Sequence, residues 1–255
     1  MMSYLPQLQC AEHAARQAGE LLRRHFLDPV REVDDLLAHD VKLRLDKECQ
    51  QLIYDTLHAA YPDYAFLGEE GGSRGEIEWI VDPLDGTVNY YYGLPLFCVS
   101  IALRVQGETM LGCVYAPMLS ECFCALRGGP ALLNGQPIHT SSRAEMAQAI
   151  VFAGHGTHDG SGEAGLRRFG EISRRVRKMR ILGSAALSLC YIAAGRLDAY
   201  IEQRIHLWDF AAAKVILESA VGILEFTPAH PGSTAGSVTA WNNCLPLRQL
   251  LADLP

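Results

Sequence analysis

The residues best suited to chemistry are two aspartates, Asp82 and Asp85, which follow the apolar run 79–81. An apolar run of this kind predicts a buried strand, so both carboxylates are expected where a strand ends. Pro83 fixes its own backbone angle and biases Asp82 toward an extended conformation, so the side chains can be oriented before a ligand binds. Oxygen-rich sites suit hard cations such as Mg²⁺ or Mn²⁺. The pattern therefore predicts a metal site.

The next two residues, Gly86 and Thr87, extend this pattern toward an anionic ligand. Glycine lets the backbone approach an anion closely, and the Thr87 hydroxyl would lie beside the metals. An ordinary turn with two solvated acids explains the same residues, so both interpretations stay open on this segment alone.

Other candidates lie at predicted helix starts. Residues 183–185, Gly-Ser-Ala, open a helix whose free N–H groups could hold an oxygen-rich ligand, although a simple capped turn is the alternative. Asp46 and Asp209 each stand at the start of a predicted helix. From the residues alone, both are interpreted as helix caps.

A rival metal site is the segment 154–160, which contains His155, His158 and Asp159. Two histidines and an aspartate could hold a transition metal. The glycines around them indicate a loop instead of a rigid helix face, so a surface or substrate-side loop is favoured.

The eight cysteines are scattered and mostly have apolar neighbours, without a Cys-x-x-Cys pair. Buried free thiols are expected, and a zinc site is not. Cys122 and Cys124 are two residues apart in a predicted strand and so share one face, which favours packing over redox chemistry.

The chain has 255 residues, of which 49% are hydrophobic and 20% charged, as is typical of a folded globular protein. A formal charge of −7 without a long basic run argues against nucleic acid as the main partner. The N-terminal residues do not resemble a signal peptide, and no apolar run approaches membrane-spanning length. We therefore expect a cytoplasmic protein that does not bind membranes.

The elements that must position these residues follow from the apolar spacing. In the first half, 1–140, helices are predicted over 5–27 and 46–61, with a loose connection or hairpin over 28–40. A short strand at 65–68 and a loop at 71–76 precede the central strand, and an antiparallel meander follows it. In the second half, 141–255, strands alternate with helices, which predicts a layered α/β arrangement. Its elements are expected at 149–153, 163–176, 179–182, 184–194, 198–202, 208–220, 223–226, 237–241 and from about 244.

Residues 82–90, Asp-Pro-Leu-Asp-Gly-Thr-Val-Asn-Tyr, resemble the signature of the inositol monophosphatase family of metal-dependent, lithium-sensitive phosphatases. Two further segments match in the right order, Gly-Glu-Glu at 68–70 and Trp-Asp-Phe-Ala-Ala-Ala at 208–213. The resemblance implies one phosphatase domain over 1–255, an α/β fold with αβαβα sandwich layering.

The resemblance also implies a set of metal ligands. Glu69, Asp82 and the Leu84 carbonyl would hold one Mg²⁺, while Asp82, Asp85 and Asp209 would hold a second. A weaker third ion would lie near Glu69, and Mn²⁺ could replace Mg²⁺. Glu69 matches the glutamate that serves as a metal ligand in the family, and Glu70 is expected to point the other way because alternate residues of a strand face opposite sides.

Catalytic roles carried over from the family fall on Asp46, Thr87 and Glu69. Asp46 and Thr87 would activate the attacking water, although the family often has threonine where this chain has Leu45. No covalent phosphoenzyme is needed, so direct in-line attack is expected. The residues expected to contact substrate are Asp85, Gly86, Thr87, Gly183, Ser184, Ala185, Glu202 and Asp209.

The expected substrate is a small phosphorylated polyol or sugar, with myo-inositol monophosphate favoured because the family's glutamate at Glu202 accepts hydrogen bonds from ring hydroxyls. Histidinol phosphate, fructose 1,6-bisphosphate and 3'-phosphoadenosine 5'-phosphate are alternatives. A second phosphate would be favoured if Arg204 and Arg180 point into the pocket. The alternative from another class is a binding or regulatory protein that keeps the fold without turnover. The resemblance further implies a homodimer and lithium sensitivity.

Overall fold

The N-terminal layer consists of two amphipathic helices. The computed structural model describes residues 4–28, 33–36, 41–154 and 162–253. Helix α1 (Leu5–His25) and helix α2 (Arg44–Ala60) bury their apolar faces as the spacing predicts. Helix α2 begins at Arg44 and not at residue 46, so Asp46 lies inside its first turn. Between the helices, β1 (Val33–Leu36) and β2 (Val41–Leu43) pair in antiparallel fashion.

The larger sheet has eight strands in the order β10-β9-β8-β7-β6-β5-β3-β4. All neighbours are antiparallel except β3 and β5, which are parallel. The predicted meander is confirmed, and the Asn134-Gly135 turn joins β9 to β10. The strands are β3 (Ala65–Gly68), β4 (Gly71–Gly72), β5 (Ile77–Asp85), β6 (Cys98–Val105), β7 (Glu108–Ala116), β8 (Glu121–Leu126), β9 (Ala131–Leu133) and β10 (Gln136–Pro137).

Two sequence predictions for this sheet are wrong in detail. Residues 71–72 form a short strand, because the Gly72 and Gly71 backbones pair with Leu67 and Gly68. Strand β5 does not end before Asp82 but continues to Asp85, because β6 pairs alongside with an irregular step between these two residues. After β5, Gly86 forms the expected turn, and the short helix α3 (Thr87–Tyr91) begins directly after it.

The smaller sheet has five strands in the order β12-β11-β13-β15-β14, with β11 parallel to β12 and β13, and β15 antiparallel to β13 and β14. Its strands are β11 (Ile150–Ala153), β12 (Lys178–Arg180), β13 (Ala199–His206), β14 (Ile223–Pro228) and β15 (Ala235–Trp241). Strand β13 runs past its predicted end at Glu202 to His206, with an irregularity after Glu202. The helices of this half are α4 (Gly162–Ser173), α5 (Ala185–Ala193), α6 (Leu207–Ser219) and α7 (Leu247–Ala252).

Three buried clusters show that these elements form five layers. One joins α1 and α2 to one face of the larger sheet, through residues such as Trp79. A second fills the space between the two sheets with α5 and α6, and it contains Ile80 and Tyr200. The third, which contains Ile172 and Leu250, packs α4 and α7 on the outer face of the smaller sheet. The predicted αβαβα layering is therefore confirmed.

The central helices α5 and α6 are buried because their residues are apolar on nearly all sides. A Cβ added to Gly112 of β7 would lie 2.2 Å from the Ala212 carbonyl oxygen, so α6 packs directly on the sheet backbone. Within the described residues, no helix is long and apolar enough to span a membrane. The division into halves near residue 140 stays a prediction.

Candidate active site

A cavity of about 390 Å³ lies where the end of β5 meets the N-termini of α5 and α6. Of the catalytic, metal-binding and substrate-binding residues expected from the family resemblance, all but Asp46 line this cavity. The proposed residues in its lining are Glu69, Asp82, Leu84, Asp85, Gly86, Thr87, Gly183, Ser184, Ala185, Glu202 and Asp209.

Asp82 is the most buried acid of this cavity, with 2% of its surface exposed. Its carboxylate accepts a hydrogen bond of 2.9 Å from the Leu84 amide. Burial raises the pKa of Asp82 well above its usual value, and the negative charges of Glu69, Asp85 and Asp209 raise it further. Four carboxylates from three separate chain segments therefore repel one another here.

Asp85 connects the end of β5 to the start of α5. Its carboxylate accepts hydrogen bonds from the Ser184 hydroxyl at 2.6 Å, the Ala186 amide at 2.7 Å and the Ala185 amide at 3.0 Å. Burial raises the pKa of Asp85, and these hydrogen bonds oppose the rise. The helix N-terminus predicted to hold an oxygen-rich ligand thus holds this carboxylate, and contact of residues 183–185 with substrate stays a prediction.

Gly86 and Thr87 form the sharp turn that follows. Gly86 has a φ of 101°, and an added Cβ would lie 2.9 Å from the Leu96 carbonyl oxygen, so only glycine fits without strain. The Thr87 hydroxyl donates a hydrogen bond of 3.0 Å to the Leu84 carbonyl. A carbonyl oxygen has a second lone pair, so this contact leaves Leu84 able to serve as a metal ligand.

Asn89 is a structural residue of the site that the sequence analysis missed. Its side-chain amide donates hydrogen bonds of 2.7 Å to both the Leu96 and Leu182 carbonyls. Gly183 has a φ of 72°, and a Cβ there would lie 2.8 Å from the Asn89 amide. Asn89 therefore fixes the segment after β5 against the start of α5. Its only sequence signal was its place within residues 82–90.

The structure separates the two neighbouring glutamates after β3. The Glu69 amide donates to the Val81 carbonyl at 3.2 Å, and the Glu69 carboxylate raises the pKa of both Asp82 and Asp209. Glu70 lines a different cavity, where its amide donates to the Gln50 side chain at 3.0 Å. Glu69 is thus the glutamate that faces the acidic pocket.

Asp209 combines two roles that the sequence left as alternatives. It lies in the first turn of α6, where its carboxylate accepts a hydrogen bond of 2.7 Å from the His206 amide. Burial raises the pKa of Asp209 well above its usual value, and the charges of Asp85, Glu69 and Glu202 raise it further. It is therefore a capping residue and also a member of the acidic cluster.

Asp46 lies outside the cavity lining and is 5% exposed. Its carboxylate accepts a hydrogen bond of 3.2 Å from the Leu43 amide and so caps the first turn of α2. Strand β2, which leads into α2, packs beside α3. The strand that precedes Asp46 thus lies beside the helix that begins at Thr87, while a role for Asp46 in activating water stays a prediction.

The opposite wall of the cavity contains Glu202 and Gly154. A Cβ added to Gly154 would lie 2.0 Å from a Glu202 carboxylate oxygen, so the glycine provides the space that Glu202 occupies. The sequence analysis had assigned Gly154 only to a loop. Arg204 also lines the cavity, whereas Arg180 is exposed and donates to the Met179 carbonyl at 2.9 Å. The histidine segment 155–159 lies outside the described residues.

The donor set of the pocket fits a hard divalent cation. Its carboxylates are oxygen ligands, and their raised pKa values reflect negative charge that a bound cation would balance. A five-layer αβαβα sandwich with a carboxylate pocket at the end of its central strand defines a class of generally metal-dependent proteins. Residues 5–251 match the model of the inositol monophosphatase family. The chain belongs to this family.

Relatives with established names support the assignment over nearly the whole chain. The chain is 35% identical over 244 residues to the Nus factor SuhB of Escherichia coli, covering 93% of this chain and 91% of the relative. It is 36% identical to inositol monophosphatase 2 of Solanum lycopersicum, covering 91% and 92%. The crystal structure of the extragenic suppressor protein SuhB from Bartonella henselae superposes with a TM-score of 0.89 at 30% identity, covering 98% of each chain.

Proposed function

We propose that the protein is a Mg²⁺-dependent phosphatase that hydrolyses a small phosphate monoester, with myo-inositol monophosphate as the favoured substrate. The observation that carries this proposal is the convergence of Glu69, Asp82, Asp85 and Asp209 in one cavity that also contains Thr87. The family assignment supports the same chemistry, since its members are generally metal-dependent.

The carboxylates of this cavity, with the Leu84 carbonyl, would hold two Mg²⁺ ions, and Glu69 would take part in a third, weaker site. Bound Mg²⁺ supplies Lewis-acid activation of water and screens the charge of the phosphate. Asp85 is fixed for its role as a ligand because the start of α5 donates to its carboxylate. Preorganised ligands of this kind reduce the cost of ordering the site when substrate binds.

The residues after β5 would bind the phosphate and take part in proton transfer. The Gly86 and Thr87 amides, at the turn into α3, would donate hydrogen bonds to the phosphate. The Thr87 hydroxyl donates to the Leu84 carbonyl in this structure. For a relay, its one O–H would turn to donate to Asp46 while its oxygen accepts a hydrogen bond from the attacking water, so that Asp46 takes up the proton that the water loses. The attack is direct and in line, without a covalent phosphoenzyme.

Glu202 is the residue on which the substrate preference depends. Its carboxylate would accept hydrogen bonds from vicinal hydroxyls and would repel a second phosphate. Arg204 lines the same cavity and favours a second candidate, a substrate with another anionic group such as fructose 1,6-bisphosphate or 3'-phosphoadenosine 5'-phosphate. Glu202 therefore favours a leaving group without a second phosphate, whereas Arg204 favours a leaving group that carries one.

Phosphate release with Mg²⁺ tests both candidates on one panel: inositol 1-phosphate, histidinol phosphate, fructose 1,6-bisphosphate and 3'-phosphoadenosine 5'-phosphate. We expect inositol 1-phosphate to be preferred, and Glu202→Gln to reduce kcat/KM for it about tenfold, while Arg204→Gln changes it less than about twofold. A preference for a bisphosphate that Arg204→Gln abolishes would support the second candidate. Full activity of Asp85→Asn would contradict the proposed metal site.

The name of the SuhB relatives, Nus factor, keeps open the alternative that this chain binds a partner without turnover. That alternative gains support if the protein binds Mg²⁺ by calorimetry yet releases phosphate from no substrate of the panel. Lithium inhibition of phosphate release, a homodimer by light scattering and a cytoplasmic location are further proposals inherited from the family resemblance.

A further inference from the structure

Three cysteines of the larger sheet lie together beneath α1. Cys113 of β7 is paired directly with Cys124 of β8, and Cys122 lies two residues before Cys124 on the same face. The sulfur atoms are 3.5 Å apart for Cys113 and Cys124, 3.6 Å for Cys122 and Cys124, and 3.8 Å for Cys113 and Cys122. The three sulfurs thus form a nearly equilateral triangle.

The thiol triangle, Cys113, Cys122 and Cys124, is buried in the layer between α1 and the sheet. The side chains are 0%, 3% and 6% exposed, respectively. Small residues of α1, such as Ala11 and Ala15, belong to the same buried cluster. All three cysteines are free thiols.

Two charged residues of α1 lie at the edge of this triangle. Arg16 donates a hydrogen bond of 2.8 Å to Glu12, and its guanidinium lies 5.0 Å from the centre of the Tyr115 ring on β7. Hydrogen bonds with Cys113 and Cys124 lower the pKa of the Cys122 thiol, and the charge of Arg16 acts in the same direction, whereas hydrogen bonds with Cys122 and burial raise the pKa values of Cys113 and Cys124. The cluster without metal therefore favours a single thiolate, and a bound cation would be needed to hold all three sulfurs as thiolates.

We propose that Cys113, Cys122 and Cys124 bind one thiophilic metal ion, Zn²⁺ or an ion of similar preference, at a site separate from the carboxylate pocket. In a tetrahedral thiolate site with metal–sulfur bonds of about 2.3 Å, neighbouring sulfurs are about 3.8 Å apart. The observed triangle matches three corners of such a tetrahedron. The fourth ligand is the Glu12 carboxylate or a water on the α1 side.

Charge and ligand type separate this site from the carboxylate pocket. Thiolates select soft or borderline ions, whereas carboxylates favour Mg²⁺. Three thiolates and one Zn²⁺ carry a net charge of −1 if water is the fourth ligand and −2 if the Glu12 carboxylate is, and the positive charge of Arg16 beside Glu12 offsets one of these negative charges. Binding releases the remaining thiol protons to solvent, so no oxidant or reductant is needed. The sequence analysis expected no zinc site and interpreted Cys122 and Cys124 as packing residues, because the sequence does not show that Cys113, on a different strand, lies beside them.

Cobalt titration of the reduced, full-length protein without oxygen tests the proposal, because Co²⁺ bound by sulfur has a thiolate-to-metal charge-transfer band that carboxylate ligands cannot produce. Excess Mg²⁺ is added to occupy the carboxylates. We expect one sulfur-bound Co²⁺ per chain in the wild type and in Asp85→Asn, and loss of the band in Cys113→Ser and Cys122→Ser. Cys49→Ala, which removes a buried thiol outside the triangle, serves as the matched control and should keep the band.

A second measurement needs no cysteine variant, so misfolding cannot obscure the result. Because the three thiols are buried, alkylation is carried out at a denaturant concentration at which the fold opens transiently, and the products formed with and without Zn²⁺ under excess Mg²⁺ are compared by mass spectrometry. Zn²⁺ should protect the peptides that contain Cys113, Cys122 and Cys124. The proposal is overturned if Zn²⁺ changes no alkylation at these positions, if Co²⁺ gives no thiolate band, or if Cys113 and Cys124 form a disulfide that retains no metal.

Discussion

Asp82 and Asp198 are two aspartates buried to nearly the same extent, 2% and 0% exposed, in contrasting surroundings. The Asp198 carboxylate accepts hydrogen bonds from the Arg143 guanidinium at 2.8 and 2.9 Å, the Ser141 hydroxyl at 2.5 Å and the Ile150 amide at 2.8 Å. Asp82 accepts one from the Leu84 amide, and the charges that shift its pKa are those of other acids.

Burial alone therefore does not distinguish a structural acid from a functional one. A buried charge must be balanced, and for Asp198 the chain itself supplies the cation and the donors. Glu78 follows the same rule, since it is 1% exposed and pairs with Arg74 at 2.8 Å and Arg104 at 2.6 Å. In the pocket of Asp82, a cation from solution would supply the balance. The contrast leads to four predictions.

The largest expected effect is on activity. Asp82→Asn should lower kcat/KM for the best substrate at least about a thousandfold, because it removes an anionic oxygen from the metal site. Without metal its stability should equal or exceed that of the wild type, since a repelled carboxylate is lost. Phosphate release and thermal unfolding in chelator measure both effects. If Asp82→Asn kept its activity but had a lower melting temperature than the wild type, Asp82 would be a structural acid like Asp198.

The same substitution at Asp198 should lower the stability of the protein and leave its activity nearly unchanged. Asp198→Asn leaves Arg143 without its charged partner and should lower the free energy of unfolding by about 3 kcal/mol, as for other broken buried pairs. Denaturant unfolding measures this, and kcat of the folded fraction should stay within about twofold. Glu225→Gln, which breaks an exposed pair with Arg248, is the control and should cost less than about 1 kcal/mol.

Metal removal and pH should act together on the acidic pocket. The folded-state pKa values of Asp82 and Asp209 are raised, so without metal their contribution to stability is present below the unfolded pKa of about 4 and is lost as pH rises through the folded pKa. In chelator, the melting temperature should therefore fall across this range. Saturating Mg²⁺ favours the charged forms of these carboxylates. It should raise the free energy of unfolding by about 3 kcal/mol at pH 8 and by less at pH 5.

Calorimetric melting of the wild type and Asp82→Asn, each with chelator and with Mg²⁺, checks this pH prediction. The pH dependence in chelator should be weaker in the variant. Equal Mg²⁺ stabilisation at pH 5 and pH 8 would show that the acidic cluster does not bind the ion.

The smallest effect is expected at the wall of the cavity that contains Gly154 and Glu202. Gly154→Ala places a methyl group against the Glu202 carboxylate and should raise KM about tenfold, with a smaller change in kcat, because substrate positioning and not the metal cluster is disturbed. Steady-state kinetics measure the two constants separately. Gly170→Ala, where an added Cβ meets no atom within 4 Å, is the control and should leave both constants unchanged.

The sequence by itself determined the family, the layered fold class and much of the candidate pocket. Asp82, Asp85, Gly86 and Thr87 are close together in the chain, so a buried strand followed by a sharp turn is enough to bring them together. Most helices and strands also followed from apolar spacing, because burial of one face imposes that period. Their ends were less predictable, as at β5 and β13, because pairing with a neighbouring strand decides where a strand stops.

Only the tertiary structure decided which buried acids are paired with a cationic side chain and which distant residues complete a site. The Ser184 hydroxyl reaches Asp85 from 99 positions along the chain, and the adjacent residues Glu69 and Glu70 line different cavities. The same holds for the thiol triangle. Periodicity reports whether a residue is buried but not which charges or donors surround it, because those come from segments that meet only when the sheets and helices pack.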